Sequence, residues 1–308
     1  MLIKDEEVQA KQSPFAIMEN EKKINDGYDG YTSMQLVLNR IEKGLINEED
    51  LLILMYVNEY EFMTSRQINK LLDFEGKSFD TYKKLNRKLE KMLKNKLINR
   101  TYFGSFGTKA AYKVYSLDKN GKYILEAKGI KVKWVPTDNL KGVAEMKSRL
   151  AANQVIIAIK EKCKNHISSK SKRRIRGKNV NKSVSTKGFI ELKYNDAVAQ
   201  VILEVPRREE NWKDIMLTRL KTYEDFYNNF EEGDSDFILP PYMLFACEDK
   251  KHMAEVYEII VLNKIKLDNI YFTYDLIQMD DDLSKSWFVF ENAENAINLV
   301  QLDIDLLK

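Results

Sequence analysis

Residues 64–97 read TSRQINKLLDFEGKSFDTYKKLNRKLEKMLKNKL, and this stretch decides the fold of the first part of the chain. Thr64 or Ser65 can cap a short helix over residues 66–72, and Gly76 marks a turn after it. A longer helix follows from residue 78 or 79 to about residue 96. Its apolar side chains recur every three or four residues and form one stripe: Leu85, Leu89, Met92, Leu93 and Leu97. The stretch therefore predicts two helices joined by a turn.

The flanking sequence places these two helices in a larger unit. A helix over residues 51–60 precedes them, with Asn47 as its cap and an acidic first turn. Two β-like runs, 97–103 and 110–117, follow them and are separated by a Gly-Ser-Phe-Gly tip. This order is typical of a winged helix-turn-helix. We predict such a domain over residues 47–130, preceded by a loose acidic arm and a short helix over residues 1–46.

The long helix and the hairpin carry the side chains that favour DNA as a ligand. In helix-turn-helix proteins the second helix contacts base edges through its N-terminal half, and basic side chains contact phosphates. A lysine-rich helix is more often only a solvated face, but Glu90 is the sole acid between residues 83 and 113. The predicted contacts in this domain are Arg66, Ser78, Thr81, Tyr82, Lys83, Lys84, Asn86, Arg87, Lys88, Arg100, Tyr102, Thr108 and Lys109.

The charge distribution indicates the same ligand. The formal net charge is only +3, from 50 Lys and Arg against 47 Asp and Glu. Residues 62–190 nevertheless hold 32 basic and 9 acidic side chains, whereas residues 191–308 hold 12 basic and 25 acidic ones. A cationic middle segment indicates an anionic partner, with double-stranded DNA as the leading candidate. The longest apolar run has 7 residues and the chain has two cysteines, so we expect no membrane contact and a cytoplasmic location.

Residues 131–188 are predicted to connect two domains. A long helical pattern over residues 139–165 is either a connector or a dimerisation helix. Residues 160–187 then hold eleven Lys and Arg side chains and a single acid, Glu161. Such a run is either a flexible solvated loop or a clamp for DNA phosphates, in which case Arg173, Arg174 and Arg176 are further DNA contacts.

Residues 189–308 read as an α/β domain, which makes the whole chain α+β. Strands over residues 189–194 and 197–205 are joined by a tight turn at Asn195 and Asp196, and Glu204 lies near the end of the second strand. This layout resembles a PD-(D/E)xK nuclease core, in which two carboxylates hold Mg²⁺ and a lysine orients water. Because Pro206 stands where the lysine should be, we expect an inactive core and no enzyme activity.

Two alternatives to an inactive core remain open. One is a Mg²⁺-dependent nuclease that uses Asp196 and Glu204, and the other is a transcription regulator whose C-terminal domain senses a ligand. A zinc site built from Cys163, His166, Cys247 and His252 is disfavoured because the spacing is unlike that of common zinc modules. We therefore expect no cofactor, with Mg²⁺ required only under the nuclease alternative.

The order of these features resembles the replication-relaxation family of plasmids, conjugative elements and phages. The similar segments lie within residues 47–264 and include 51–56, 64–68, the Leu85, Leu89 and Leu93 stripe, 97–98, 115–125, 196–198, 202–205 and 219–223. The resemblance implies a winged helix followed by a restriction-endonuclease-like fold. Family members usually show Pro-Asp and Glu-x-Asp where this chain has Asn195-Asp196 and Glu204-Val-Pro206, which weakens the implied metal site.

These observations together predict a sequence-specific double-stranded DNA-binding protein of a mobile element. The resemblance implies that it acts in replication, relaxation or conjugative transfer as an accessory or regulator. A relaxase, a replication protein or further copies of the chain are the expected protein partners, because the acidic C-terminal domain would repel DNA.

Overall fold

A computed structural model describes residues 13–27, 30, 32–77, 79–104, 113–176, 183–231, 237, 239–280, 282–293 and 296–308. Its helices are α1 (Met34–Glu42), α2 (Glu48–Tyr60), α3 (Ser65–Phe74), α4 (Tyr82–Lys94), α5 (Lys119–Ala127), α6 (Val143–Lys162), α7 (Trp212–Asn228) and α8 (Lys250–Leu262). Its strands are β1 (Lys22–Asn25), β2 (Met63–Thr64), β3 (Ile98–Gly104), β4 (Lys113–Leu117), β5 (His166–Lys170), β6 (Arg174–Arg176), β7 (Ser183–Ser185), β8 (Gly188–Tyr194), β9 (Ala197–Glu204), β10 (Tyr242–Cys247), β11 (Ile270–Tyr274), β12 (Phe288–Ala293) and β13 (Ala296–Gln301). The chain is therefore α+β, as predicted. No helix in the described ranges is both long enough and apolar enough to cross a membrane.

The first part of the chain combines α1–α5 with a four-stranded antiparallel sheet in the order β1-β3-β4-β2. Reciprocal capping boxes fix the starts of two helices: Asn47 with Asp50 begins α2, and Thr64 with Gln67 begins α3. The predicted stripe of α4 is buried, because its leucines and Met92 pack into the core. The sequence pattern was therefore a correct guide to these elements.

Helix α6 lies at the centre of the molecule. Every residue from 146 to 159 is buried, polar ones included. The helix contacts α3 and β2 on the side of the first sheet, and β5, β8 and β10 on the side of the second. Of the two alternatives, a connector fits this burial, since residues 146–159 offer no exposed face to a second copy.

The second sheet has seven strands in the order β13-β12-β11-β10-β9-β8-β5. Strands β5, β8 and β9 are antiparallel neighbours, whereas β9, β10 and β11 run parallel. Side chains that alternate along the strands bury against α6 on one face and against α7 and α8 on the other. Because β5 belongs to this sheet, the sheet begins within the segment 131–188 that we predicted as a connector.

The basic run 160–187 is ordered where the structure describes it, so the prediction of a flexible loop is wrong there. It contains the end of α6, the edge strand β5 and a two-stranded antiparallel ribbon of β6 and β7. Ile175 and Val184 face each other across the ribbon and are buried in the cluster with α7. Basic residues on both sides of Ile175 concealed this period-two alternation in the sequence.

Residues 13–27 are also ordered, although the sequence indicated a loose arm. Phe15 and Ala16 are buried, and β1 pairs with β3. Lys147 of α6 is only 2% exposed and donates to Glu21 at 2.5 Å. This segment was missed because its buried apolar residues are few and leave no periodic pattern, and because β1 is a strand of only four residues.

Candidate nucleic-acid interface

Helix α4 presents a row of basic side chains to solvent. Its N-terminal cap is Thr81, whose hydroxyl accepts from the Lys84 N–H, so the helix begins at Tyr82 and not at residue 78 or 79 as predicted. The exposed row is Lys83, Arg87, Lys91 and Lys94, and none of these four forms an ion pair with a described residue. The row spans about 16 Å at the helical rise of 1.5 Å per residue.

The other predicted contacts on and near α4 differ in exposure. Asn86 is half-buried, whereas Tyr82 and Thr81 at the start of the helix are exposed. Lys84 is exposed but pairs with Asp80 one turn earlier. Arg66 in the first turn of α3 is also exposed. The predicted contacts Ser78, Thr108 and Lys109 lie outside the described residues.

Three predicted DNA contacts are engaged within the protein. The Lys88 side chain is 15% exposed and lies 3.1 Å from Asp50, which ties α4 to the first turn of α2. Arg100 pairs with Asp26 at 2.6 Å and also with Glu90. The Tyr102 hydroxyl donates to Asp26 and, with Arg100, lowers the pKa of that carboxyl.

Asp50 is distant in sequence from Lys88, and Asp26 belongs to the arm predicted to be loose, whereas Glu90 lies only ten residues before Arg100. The contacts made by Asp50 and Asp26 could therefore not be predicted from neighbouring residues.

The ribbon of β6 and β7 presents a second basic surface. Arg174 and Arg176 are exposed, and the Arg174 guanidinium donates to the Ser183 hydroxyl at 2.8 and 3.0 Å. Arg173 differs from them, because its guanidinium carbon lies 4.4 Å from the ring centre of Phe189 and 4.5 Å from that of Phe237. Arg173 therefore helps to hold the ribbon on the domain.

Asp196 and Glu204 lie at opposite ends of β9. Asp196 is exposed in the turn between β8 and β9, whereas Glu204 is the last residue of β9 and is 2% exposed. Eight residues of strand separate them by roughly 26 Å. The predicted Mg²⁺ pair is therefore wrong, since one ion cannot bind both carboxylates. The predicted strand over residues 197–205 was already long enough to indicate this separation.

Lys187 lies beside Glu204 at the end of the β8–β9 hairpin opposite the turn. Its backbone N–H donates to the Leu203 carbonyl at 2.8 Å, which places the start of β8 next to the end of β9. Its side chain forms no ion pair with a described residue. Burial, followed by the nearby charge of Arg149, lowers the pKa of Lys187 to about 8. Lys187 was not predicted as a site residue because it lies just before the predicted strand 189–194, and because its position beside Glu204 depends on the register of β8 against β9.

Glu204 is itself engaged by two side chains of α7. The Arg219 Nε donates to Glu204 at 2.9 Å, a second guanidinium nitrogen donates to the other carboxylate oxygen, and the Tyr223 hydroxyl donates to the same oxygen. The charge of Glu204 is therefore neutralised by Arg219. Within the described residues, no group of three or more His, Cys, Asp or Glu side chains is placed to hold a metal ion.

Comparison with known proteins agrees with the resemblance noted in the sequence. A family model described as replication-relaxation matches residues 54–238, which is more than half of the 308 residues. The matched range contains α4, the ribbon and the surroundings of Glu204. No curated protein and no solved structure matches the chain. The chain belongs to the replication-relaxation family.

Proposed function

We propose that the protein is a sequence-specific double-stranded DNA-binding protein of a mobile element. The observation that carries this proposal is the exposed row of Lys83, Arg87, Lys91 and Lys94 on α4, a helix whose opposite face is anchored in the core. The order α2, β2, α3, α4, β3, β4 supports a winged helix-turn-helix, in which α4 is the recognition helix.

In this proposal the first half of α4 contacts bases and its second half contacts phosphates. Asn86 and Arg87, in the first half of α4, have the bidentate geometry that reads adenine and guanine edges in the major groove. Lys91 and Lys94 lie further along and are suited to phosphates. Arg174 and Arg176 on the ribbon provide further phosphate contacts in this proposal.

The C-terminal domain acts in this proposal as a nuclease-like fold without catalysis. Helix α6, the antiparallel strands β5, β8 and β9, helix α7 and the parallel strand β10 follow one another in the order of a PD-(D/E)xK core. The ion pair of Glu204 with Arg219, Lys187 beside it, and Pro206 in place of a lysine all support an inactive site.

The acidic surface of this domain is suited to a relaxase, a replication protein or another copy of the chain. The protein would therefore serve as an accessory or regulator of replication, relaxation or conjugative transfer.

Binding of DNA to a double variant tests the proposal. Lys83→Ala with Arg87→Ala removes two cations that support no internal contact in the described structure, so the fold should persist. We expect a lower affinity. We also expect the slope of log binding constant against log salt concentration to be less steep by about 2. Lys128→Ala, an exposed lysine on the far end of α5, is the matched control. Unchanged affinity of the double variant would remove α4 from the interface.

A further inference from the structure

A cleft opens where the ends of several elements meet beside Glu204. It has a volume of about 460 Å³ and is lined by the first turns of α6 and α7, by the end of β9 and by Lys187. This volume is within the range of small-molecule sites in proteins. Residues 83–94 of α4 do not line the cleft, so it is separate from the row of basic side chains on the recognition helix.

The first turn of α6 leaves backbone donors available in the cleft. Helix α6 is 20 residues long, and its cap residue, Gly142, has no side chain that could accept from the first N–H groups. In the first turn of α7, by contrast, the Trp212 N–H donates to the Glu209 carbonyl and the Asp214 N–H donates to the Asn211 carbonyl. The N–H groups of a first turn have no acceptor within the helix and carry the positive end of its dipole. Helix α6 therefore presents partial positive charge to the cleft.

Basic side chains reinforce the N-terminus of α6. Lys187 lines the cleft and forms no ion pair with a described residue. Arg207 is 3% exposed and pairs with Asp275 at 2.8 Å, yet its Nε–H is buried and has no hydrogen-bond partner in the described structure. An unpaired buried donor is costly and is normally satisfied by protein, water or a ligand.

The acids that line the cleft cancel little of this positive charge. Glu204 is neutralised by Arg219, and Glu145 lies 3.3 Å from Lys141. Glu209 is exposed, so solvent screens its charge. Partial burial of its carboxyl group raises its pKa. None of these three acids forms an ion pair with Lys187, and burial is the main cause of its lowered pKa.

We propose that this cleft is a metal-independent binding site for a phosphate group, held by Lys187, by the first turn of α6 and by the Arg207 donor. The volume exceeds what a phosphate alone fills, so the bound group can remain attached to a nucleotide or to the end of a DNA strand. The site is independent of DNA recognition by α4, so either proposal can fail without the other.

Titration of the full-length protein with inorganic phosphate tests the site. Selective ¹⁵N labelling of glycine, valine and alanine makes the amides of Gly142, Val143 and Ala144 observable, and we expect them to shift with a common saturation curve. The Lys187→Met variant should weaken binding about tenfold, because it removes the charged donor. Lys221→Met, an exposed lysine of α7 outside the cleft, should bind phosphate as the wild type does.

Three results would overturn the proposal: no amide shift at tens of millimolar phosphate, shifts confined to other regions, or equal affinity of Lys187→Met and the wild type. If Lys187→Met does not fold, the amide shifts that phosphate causes in the wild type alone decide whether the proposal holds. Titrations with a nucleoside monophosphate and with a 5′-phosphorylated oligonucleotide then identify the source. Tighter binding of the oligonucleotide assigns the site to a DNA end, and tighter binding of the nucleotide assigns it to a free ligand.

Discussion

Replacement of Glu204 tests whether its carboxylate stabilises the fold or takes part in catalysis. In the structure this carboxylate accepts two hydrogen bonds from Arg219 and one from Tyr223, and its side chain is 3% exposed. Glu204→Ala leaves the guanidinium and the buried hydroxyl without their acceptor. Breaking a buried pair costs about 3–5 kcal/mol, and we expect about 3 kcal/mol because Arg219 is 24% exposed and can partly rehydrate.

Glu204→Gln and Asp196→Ala complete the measurement. Glutamine keeps an acceptor for Tyr223 but loses the charge, so it should cost about 1–2 kcal/mol. Asp196→Ala changes an exposed turn residue and should alter the free energy of unfolding by no more than about 0.5 kcal/mol. Urea denaturation at pH 7, followed by circular dichroism, measures all three. Equal or higher stability of Glu204→Ala would refute the structural role.

Three further predictions concern pH, the ribbon and catalysis. Burial lowers the pKa of His252 to about 2, so its stabilising contribution is full above pH 6.5 and is lost as the pH falls towards 2. Between pH 6.5 and pH 5, the free energy of unfolding of His252→Phe should therefore fall by about 2 kcal/mol less than that of the wild type, as measured by urea denaturation. An equal fall in both proteins would contradict this prediction. Arg174→Ala with Arg176→Ala should weaken binding to all DNA sequences alike in fluorescence anisotropy, and a changed sequence preference would argue for base contacts. Supercoiled plasmid with Mg²⁺ or Mn²⁺ should remain uncut, and cutting that Glu204→Ala abolishes would establish a nuclease.

Local patterns were sufficient to predict most helices and strands. The stripe of Leu85 and Leu89 and the caps at Asn47 and Thr64 depend only on neighbours within a few residues, and the structure confirms them. The family was also predicted correctly, because an ordered set of such local features identifies it.

Contacts between distant residues could not be predicted in the same way. Lys147 with Glu21, and Lys88 with Asp50, join residues that only the folded chain brings together. The ribbon was missed because Ile175 is a single apolar residue among arginines. The cleft beside Lys187 required the register of β8 against β9, which fixes which end of the hairpin lies near Glu204.

Selection of bound sequences from random double-stranded DNA tests the central claim most directly. If α4 is the recognition helix, the wild type should enrich a defined sequence, and Arg87→Ala should lose the preference for one base pair at a cost of about 1–3 kcal/mol. Lys128→Ala should enrich the same sequence as the wild type. Absence of any enriched sequence, or the same preference in Arg87→Ala, would contradict sequence-specific recognition by this helix.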